Sequence, residues 1–161
     1  MISNKMGEAL SAQINAEMWS AFLYLSMSMD ASYLGWKGVS HWFRKQYEEE
    51  MDHAFRIIRY LEDQSFKVVL RPIGDFPTQW GCVLKMYEDA LAHEKKVTAM
   101  IHQLCGMAKD EDDYATSVFL QWFVTEQVEE EEAAQAIVDR IRLIKGDLAA
   151  FVYYDTELGD R

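Results

Sequence analysis

Residues 47–56 read YEEEMDHAFR, and within them Glu50 and His53 stand three apart. On a helix that spacing puts a carboxylate and an imidazole on one face, where together they can hold a divalent cation. Alone, the pair has a plainer reading as two solvated residues. Three further positions change the balance. Glu17 interrupts the apolar series Leu10, Ile14, Ala21, Tyr24, and Glu50 interrupts Phe43, Tyr47, Ala54, Ile57, Leu61. Glu94 interrupts Tyr87, Leu91, Thr98, Ile101, Cys105, and Gln127 with Glu130 interrupts Phe119, Phe123, Ala134, Ile137, Ile141. Each series has the three-and-four spacing of a buried helix face. The interruptions are also in register. Thirty-three residues separate Glu17 from Glu50 and Glu94 from Gln127, and a shift of 77 carries 17, 50 and 53 onto 94, 127 and 130. Little else in the two halves matches, so the pattern is the pseudo-symmetry of a site rather than a sequence repeat.

Four carboxylates turned into one apolar interior would each cost several kcal/mol if left charged and unpaired. Two divalent cations would compensate them. Carboxylate-bridged di-metal bundles use one Glu from each of two helices and Glu-x-x-His from each of the other two. Here Glu50 and His53 make the full pair, whereas the fourth helix offers Gln127 and Glu130. The run EQVEEEE at 126–132 reads first as a solvated face. Glu126 and Glu129 nevertheless fall beside Glu130, and Glu49 beside Glu50, which makes a second, more exposed carboxylate cluster a candidate. Tyr24 lies two turns from Glu17 on the same face; its default is core packing with a bonded hydroxyl, its lesser reading a redox or neighbouring role. Trp122 is expected in the core or at an interface.

The elements that must position these residues are helices. Only two prolines occur, Pro72 and Pro77, and both lie between residues 66 and 80. Helices are expected from about Ser3 to Ser32, Val39 to Gln64, Gly81 to Ala108 and Asp113 to Lys145, with YLGWKG ending the first, KDEDDYA capping the start of the fourth, and Gly146 breaking it. The stretch FKVVLRPIGDFPTQW is long for a loop between adjacent antiparallel helices. Its fifteen residues can span roughly 50 Å, against roughly 38 Å for a 25-residue helix. It can therefore run the length of the bundle and start the third helix at the far end. The expectation is an all-α four-helix bundle with a long crossover loop and a short fifth helix over about 147–158, as one domain over 1–161. DLAAFVYYDTEL is too short to stand alone and needs a surface for Phe151, Val152 and Tyr154.

Composition narrows the function. A net charge of −11, from 27 acidic and 16 basic residues, argues against gripping nucleic acid by its phosphates and suits attraction of cations. The opening MISNKMGEALSAQ has no charged stretch followed by an apolar run, so no signal peptide is expected, and no apolar run is long enough for a bilayer. Cys82 and Cys105 lie 23 residues apart in one helical pattern, too far to bridge, which fits a reducing, cytoplasmic setting.

NAEMWSAFLYLSM around Glu17 and Tyr24, YEEEMDHA around Glu50 and His53, ALAHE around Glu94, and FVTEQVEEE around Gln127 and Glu130 together resemble the ferritin family, in its bacterial non-haem branch. The resemblance covers nearly the whole chain. It implies a ferroxidase centre of two irons per subunit. Glu17, Glu50 and His53 would bind the first iron, with Glu50 bridging. Glu94 and Glu130 would bind the second, with Gln127 as a hydrogen-bonding neighbour. Glu49, Glu126 and Glu129 match the family's third iron site, and Tyr24 matches its tyrosine beside the centre. The family implies Fe(II) oxidation by dioxygen or hydrogen peroxide, a ferric oxide mineral, and a hollow homo-oligomeric cage of twenty-four subunits whose terminal helices meet at the four-fold axes. Glu130 stands where bacterioferritins have a second histidine, and Met51 is common to both branches, so haem is not expected. Rubrerythrins need a four-cysteine domain this chain lacks; the DNA-protecting mini-ferritins build their sites between subunits. Two rivals remain open on the sequence: another di-metal or manganese oxidase on the same bundle, and a cage whose carboxylates bind cations without catalysis.

Overall fold

The computed structural model describes residues 1–161. Ser3 starts α1 (Asn4–Tyr33) by accepting from the Met6 amide at 3.0 Å, and Gly35, at φ 92°, turns the chain out of it. α2 (Lys37–Asp63) has no capping side chain of its own. Its cap comes from 116 residues away: the two Asp155 oxygens accept from the Gly38 and Val39 amides at 3.1 and 2.9 Å. α3 spans Val83–Asp110 and α4 spans Tyr114–Ile144, with Asp113 accepting from Thr116 at the α4 start. Lys145 and Gly146, both at positive φ, end α4, and α5 (Leu148–Leu158) follows. The boundaries differ from the sequence expectation by one or two residues. No helix is long and apolar enough to cross a membrane.

The crossover, residues 64–82, does run the length of α1. Arg71 pairs with Glu8, the Asp75 carbonyl accepts from Trp19, the Pro77 carbonyl accepts from Ser26, and the Trp80 amide donates to Asp30. The chain thus climbs α1 from its N-terminal to its C-terminal end before α3 begins, which makes α3 parallel to α2. α1 with α2, and α3 with α4, form two antiparallel hairpins joined by this strap.

The core is divided. On one side Met6, Leu10, Ile14, Ala54, Ile57, Leu61, Val97, Ile101, Leu120 and Phe123 pack together. On the other pack Tyr24, Met27, Val39, Phe43, Met86, Tyr87, Leu91, Ala134, Ile137 and Leu158. In every long helix the polar interruption falls between the two clusters, so the candidate residues form one polar layer across mid-bundle.

α5 lies on the α2 end of the bundle. Gly38 permits this: a Cβ there would stand 1.5 Å from the Asp155 carbonyl oxygen. Phe151 meets Trp36 edge-on at 4.6 Å and Leu158 is buried, whereas Leu148, Val152 and Tyr153 remain exposed. Of the residues expected to need cover, Phe151 and Tyr154 find part of it on the chain's own bundle; Val152 does not.

Candidate metal centre

Six of the residues singled out by spacing are buried together: Glu17, Glu50 and Glu94 at 1% exposure, Gln127 at 3%, His53 at 4% and Glu130 at 6%. Each helix contributes by phase alone, since i, i+3 and i+4 neighbours share a face. Glu17, Glu50 and His53 come from the first hairpin, and Glu94, Gln127 and Glu130 from the second.

His53 stands between two potential cation positions. Its Nδ1 lies 3.6 Å from Glu50 Oε2 and 3.9 Å from Glu17 Oε2, and its Nε2 lies 3.8 Å from Glu126 Oε1. The ligand atoms of Glu17, Glu50 and His53 fall within 4.8 Å of one another, and so do those of His53, Glu126 and Glu130. Glu94 joins neither triad. Its Oε1 accepts from the Tyr24 hydroxyl and its Oε2 from Gln127 Nε2 at 3.2 Å.

Two buried amides hold the other carboxylates. Gln13 Nε2 donates to Glu17 Oε1 and Gln46 Nε2 to Glu130 Oε2, both at 2.8 Å. Glu17 Oε2 and Glu50 Oε2 are left buried with no hydrogen-bond partner. A buried acceptor without a donor is costly, and a carboxylate more so. These two oxygens both face the His53 ring, which is the donor set a hard divalent cation would use.

The electrostatics agree. Burial, then the charges of Glu94, Glu17 and Glu130, push the Glu50 carboxyl well above the usual range. Burial lifts Glu94 to about 7 against the opposing hydrogen bonds from Tyr24 and Gln127. Burial and then the Glu94 charge lift Glu130 to about 7, with the Gln46 hydrogen bond opposing. The Tyr24 phenol is raised by burial first and by Glu94 next, so it stays a hydrogen-bond donor. Burial and the neighbouring charges thus raise three of the four inner carboxyls.

The outer carboxylates are placed differently from one another. Glu126 reaches His53. Glu49 pairs with Arg161 at 2.6 Å, and that guanidinium also lies 4.7 Å from the Trp42 ring centre. Glu129 is exposed. The three are not gathered into one group. Glu48 is exposed and paired with Lys45, as a solvated carboxylate should be. Trp122 is half-buried, its ring edge-on to His53 at 5.3 Å with Arg56 over its face at 4.1 Å.

Gln13 and Gln46 were not singled out by sequence reasoning. Both stand four residues before a buried Glu, on the same face, and that offset was the available signal. Tyr47, assigned to the buried stripe of α2, is only half-buried, and Gln46 takes the inner position because Tyr47 turns toward Phe22. Thr98, expected in the buried series of α3, is half-buried, and with Glu131 it extends the hydrogen bonds of Gln127.

The chain is similar to known proteins along its whole length. A family model described as "Ferritin-like domain" matches residues 7–144. A bacterial non-heme ferritin of Bacteroides fragilis is 43% identical over 161 residues, covering all of both chains. One from Staphylococcus aureus is 32% identical over 161 residues, all of this chain and 97% of that one. Among solved structures, an open pore ferritin from the hyperthermophilic archaeon Archaeoglobus fulgidus superposes with a TM-score of 0.99 at 45% identity, covering 100% of this chain and 99% of that chain.

Proposed function

This chain belongs to the ferritin family, and from that premise we propose how its buried polar layer works. The protein stores iron and oxidises Fe(II) to Fe(III). We infer that Glu17, Glu50 and His53 take the first Fe(II), that Glu94 and Glu130 take the second, and that Glu50 lies between them. The observation that carries this reading is the pair of unpartnered oxygens, Glu17 Oε2 and Glu50 Oε2, turned toward His53 inside a layer of four buried glutamates. Iron is the substrate here, and the donor set fits it: hard oxygens and one imidazole.

Binding two irons side by side serves the redox chemistry. Two Fe(II) ions together give up two electrons, enough to take dioxygen to hydrogen peroxide with two protons, or hydrogen peroxide to water. The anionic layer stabilises a trivalent ion more than a divalent one, because the attraction scales with charge at low local dielectric. The protons that Glu50, Glu94 and Glu130 hold before iron arrives leave as it binds. His53 makes the two positions unequal, and the iron on the Glu94 and Glu130 side is the more loosely held. Glu94 reinforces this, since both its oxygens already accept hydrogen bonds.

The finer reading follows the family resemblance. Twenty-four copies form a hollow cage that holds ferric oxide, with the exposed Leu148, Val152 and Tyr153 of α5 covered by other copies. For a third, outer iron position Glu126, which lies against His53, is the best placed of the three; Glu49 would have to leave Arg161 and Glu129 to turn in from solvent. All 161 residues act as one ferritin-like domain. We place the protein in the cytoplasm, where the free thiols of Cys82 and Cys105 would persist.

The test is aerobic Fe(II) loading of metal-free protein, read by particle mass and iron content. A particle near twenty-four chains with iron far beyond two per chain is expected, and a small oligomer that stops at two metals per chain would refute storage. Glu50→Ala and His53→Ala should slow Fe(II) oxidation at least about tenfold, no less than the loss of a partner standing behind a metal ligand costs; unchanged rates would remove oxidation from this centre.

A further inference from the structure

Behind Glu94 lies a square of four side chains, two from each helix of the second hairpin. Glu94 and Thr98 stand four apart on α3, and Gln127 and Glu131 stand four apart on α4. One amide atom of Gln127 lies 3.3 Å from the Glu94 carbonyl oxygen, 3.2 Å from Glu94 Oε2 and 3.2 Å from Thr98 Oγ1. The backbone carbonyl can only accept, so the Gln127 atom facing it is its nitrogen.

Thr98 adds a third acceptor to that orientation. Its hydroxyl has one proton and two acceptors in reach, the Glu94 carbonyl at 3.0 Å and Glu131 Oε1 at 2.6 Å. The shorter bond, to a carboxylate, takes it. With its proton directed outward, Thr98 Oγ1 offers a lone pair inward to Gln127. The bonds therefore all run one way: Thr98 donates to Glu131, Gln127 donates to Thr98 and to Glu94. Reversing the Gln127 amide would set its oxygen against two oxygens of Glu94.

From this we infer that Thr98 and Glu131 are positioning residues for the second metal of the centre. They act through Gln127, fixing it as a donor to Glu94 and excluding it as an oxygen ligand, and so set the orientation and grip of Glu94. The inference rests on the two-metal reading given under Proposed function. It assigns a task to two half-buried residues that are not metal ligands.

Zn(II) titration of the metal-free protein followed by calorimetry separates the two ideas. Wild type should show a tight and a weaker step. Thr98→Val removes the acceptor and should weaken only the second step, by about tenfold, the low end for partners standing behind a metal ligand. Thr98→Ser should restore wild-type affinity. Glu131→Gln, which can donate as well as accept, should fall between them. In Fe(II) oxidation, Thr98→Val should raise KM several-fold with kcat little changed. Equal weakening of both steps, no weakening of either, or failure of Thr98→Ser to rescue would overturn the inference while leaving the centre intact. A wild-type protein with only one step would instead overturn the two-metal reading, and the inference with it.

Discussion

Glu130→Gln should make the metal-free protein more stable while making it a worse metal binder. Glu130 is nearly buried, and its carboxyl is lifted from 4.5 to about 7, chiefly by that burial. Below pH 4.5 the group is protonated in both folded and unfolded chains, and it costs nothing. Between 4.5 and 7 the unfolded chain releases the proton and the folded chain keeps it, so stability falls as pH rises. Above 7 both states are charged and the loss is complete, at about 3 kcal/mol for a shift of this size. A glutamine removes that loss. It also keeps the local bonding, because Gln46 Nε2 can still donate to the new amide oxygen, and Gln46 Oε1, now unpartnered, can accept if the amides rotate. At pH 8 the variant should therefore melt higher, by about 6–12 °C at roughly 2–4 °C per kcal/mol. At pH 5.5 the gain should shrink to under half. With saturating Zn(II) the order should invert, because ligation stabilises only the state that binds the ion. Differential scanning calorimetry at fixed protein concentration, with chelator and with Zn(II), reads all three. A metal-free variant that melts no higher than wild type at pH 8, or a gain independent of pH, would refute the reasoning.

The α2 cap should be separable from the centre: Asp155→Ala should cost about 1–2 kcal/mol, the scale of a lost N-cap, seen in denaturant unfolding, with Fe(II) oxidation within about twofold of wild type. Gly38→Ala should be worse, because its Cβ meets the Asp155 carbonyl, and α5 should become accessible to limited proteolysis. Metal binding should release protons. Calorimetric titration of Zn(II) in buffers of different ionisation enthalpy should show more protons released at pH 6 than at pH 8, since Glu94 and Glu130 are held near 7 and are mostly protonated at the lower pH. Equal release at both would mean the layer carries no such protons.

The inner six residues of the centre were legible in the sequence because burial and helical phase are the same information. An acidic residue that repeats the phase of Leu and Ile must share their surroundings. The crossover was legible from length. Other features depend on contacts that no local pattern records. The start of α2 at Lys37 rather than Val39 depends on Asp155, more than a hundred residues on. Gln46 and Tyr47 are neighbours in phase, and contacts on other helices separate them: Gln46 bonds Glu130 inside, while Tyr47 lies toward Phe22. Glu49 follows the phase expected of an outer ligand, yet its carboxylate is taken by Arg161. Charge runs give composition without partners, which is why the outer carboxylates were harder to read than the inner ones.

Each hairpin carries its own half of the polar layer. When α1 and α2 pair, Glu17, Glu50 and His53 come together on a face still open to water, where ionised carboxylates cost little. The same holds for Glu94, Gln127 and Glu130 on the second hairpin. The expense arises only when the two hairpins close on each other and water leaves. Pairing within each hairpin is thus little affected by the charge of these carboxylates, whereas closure is sensitive to it. The long strap along α1 sets the register of that closure but not its charge. Protons or cations that neutralise the layer therefore favour closure of the bundle.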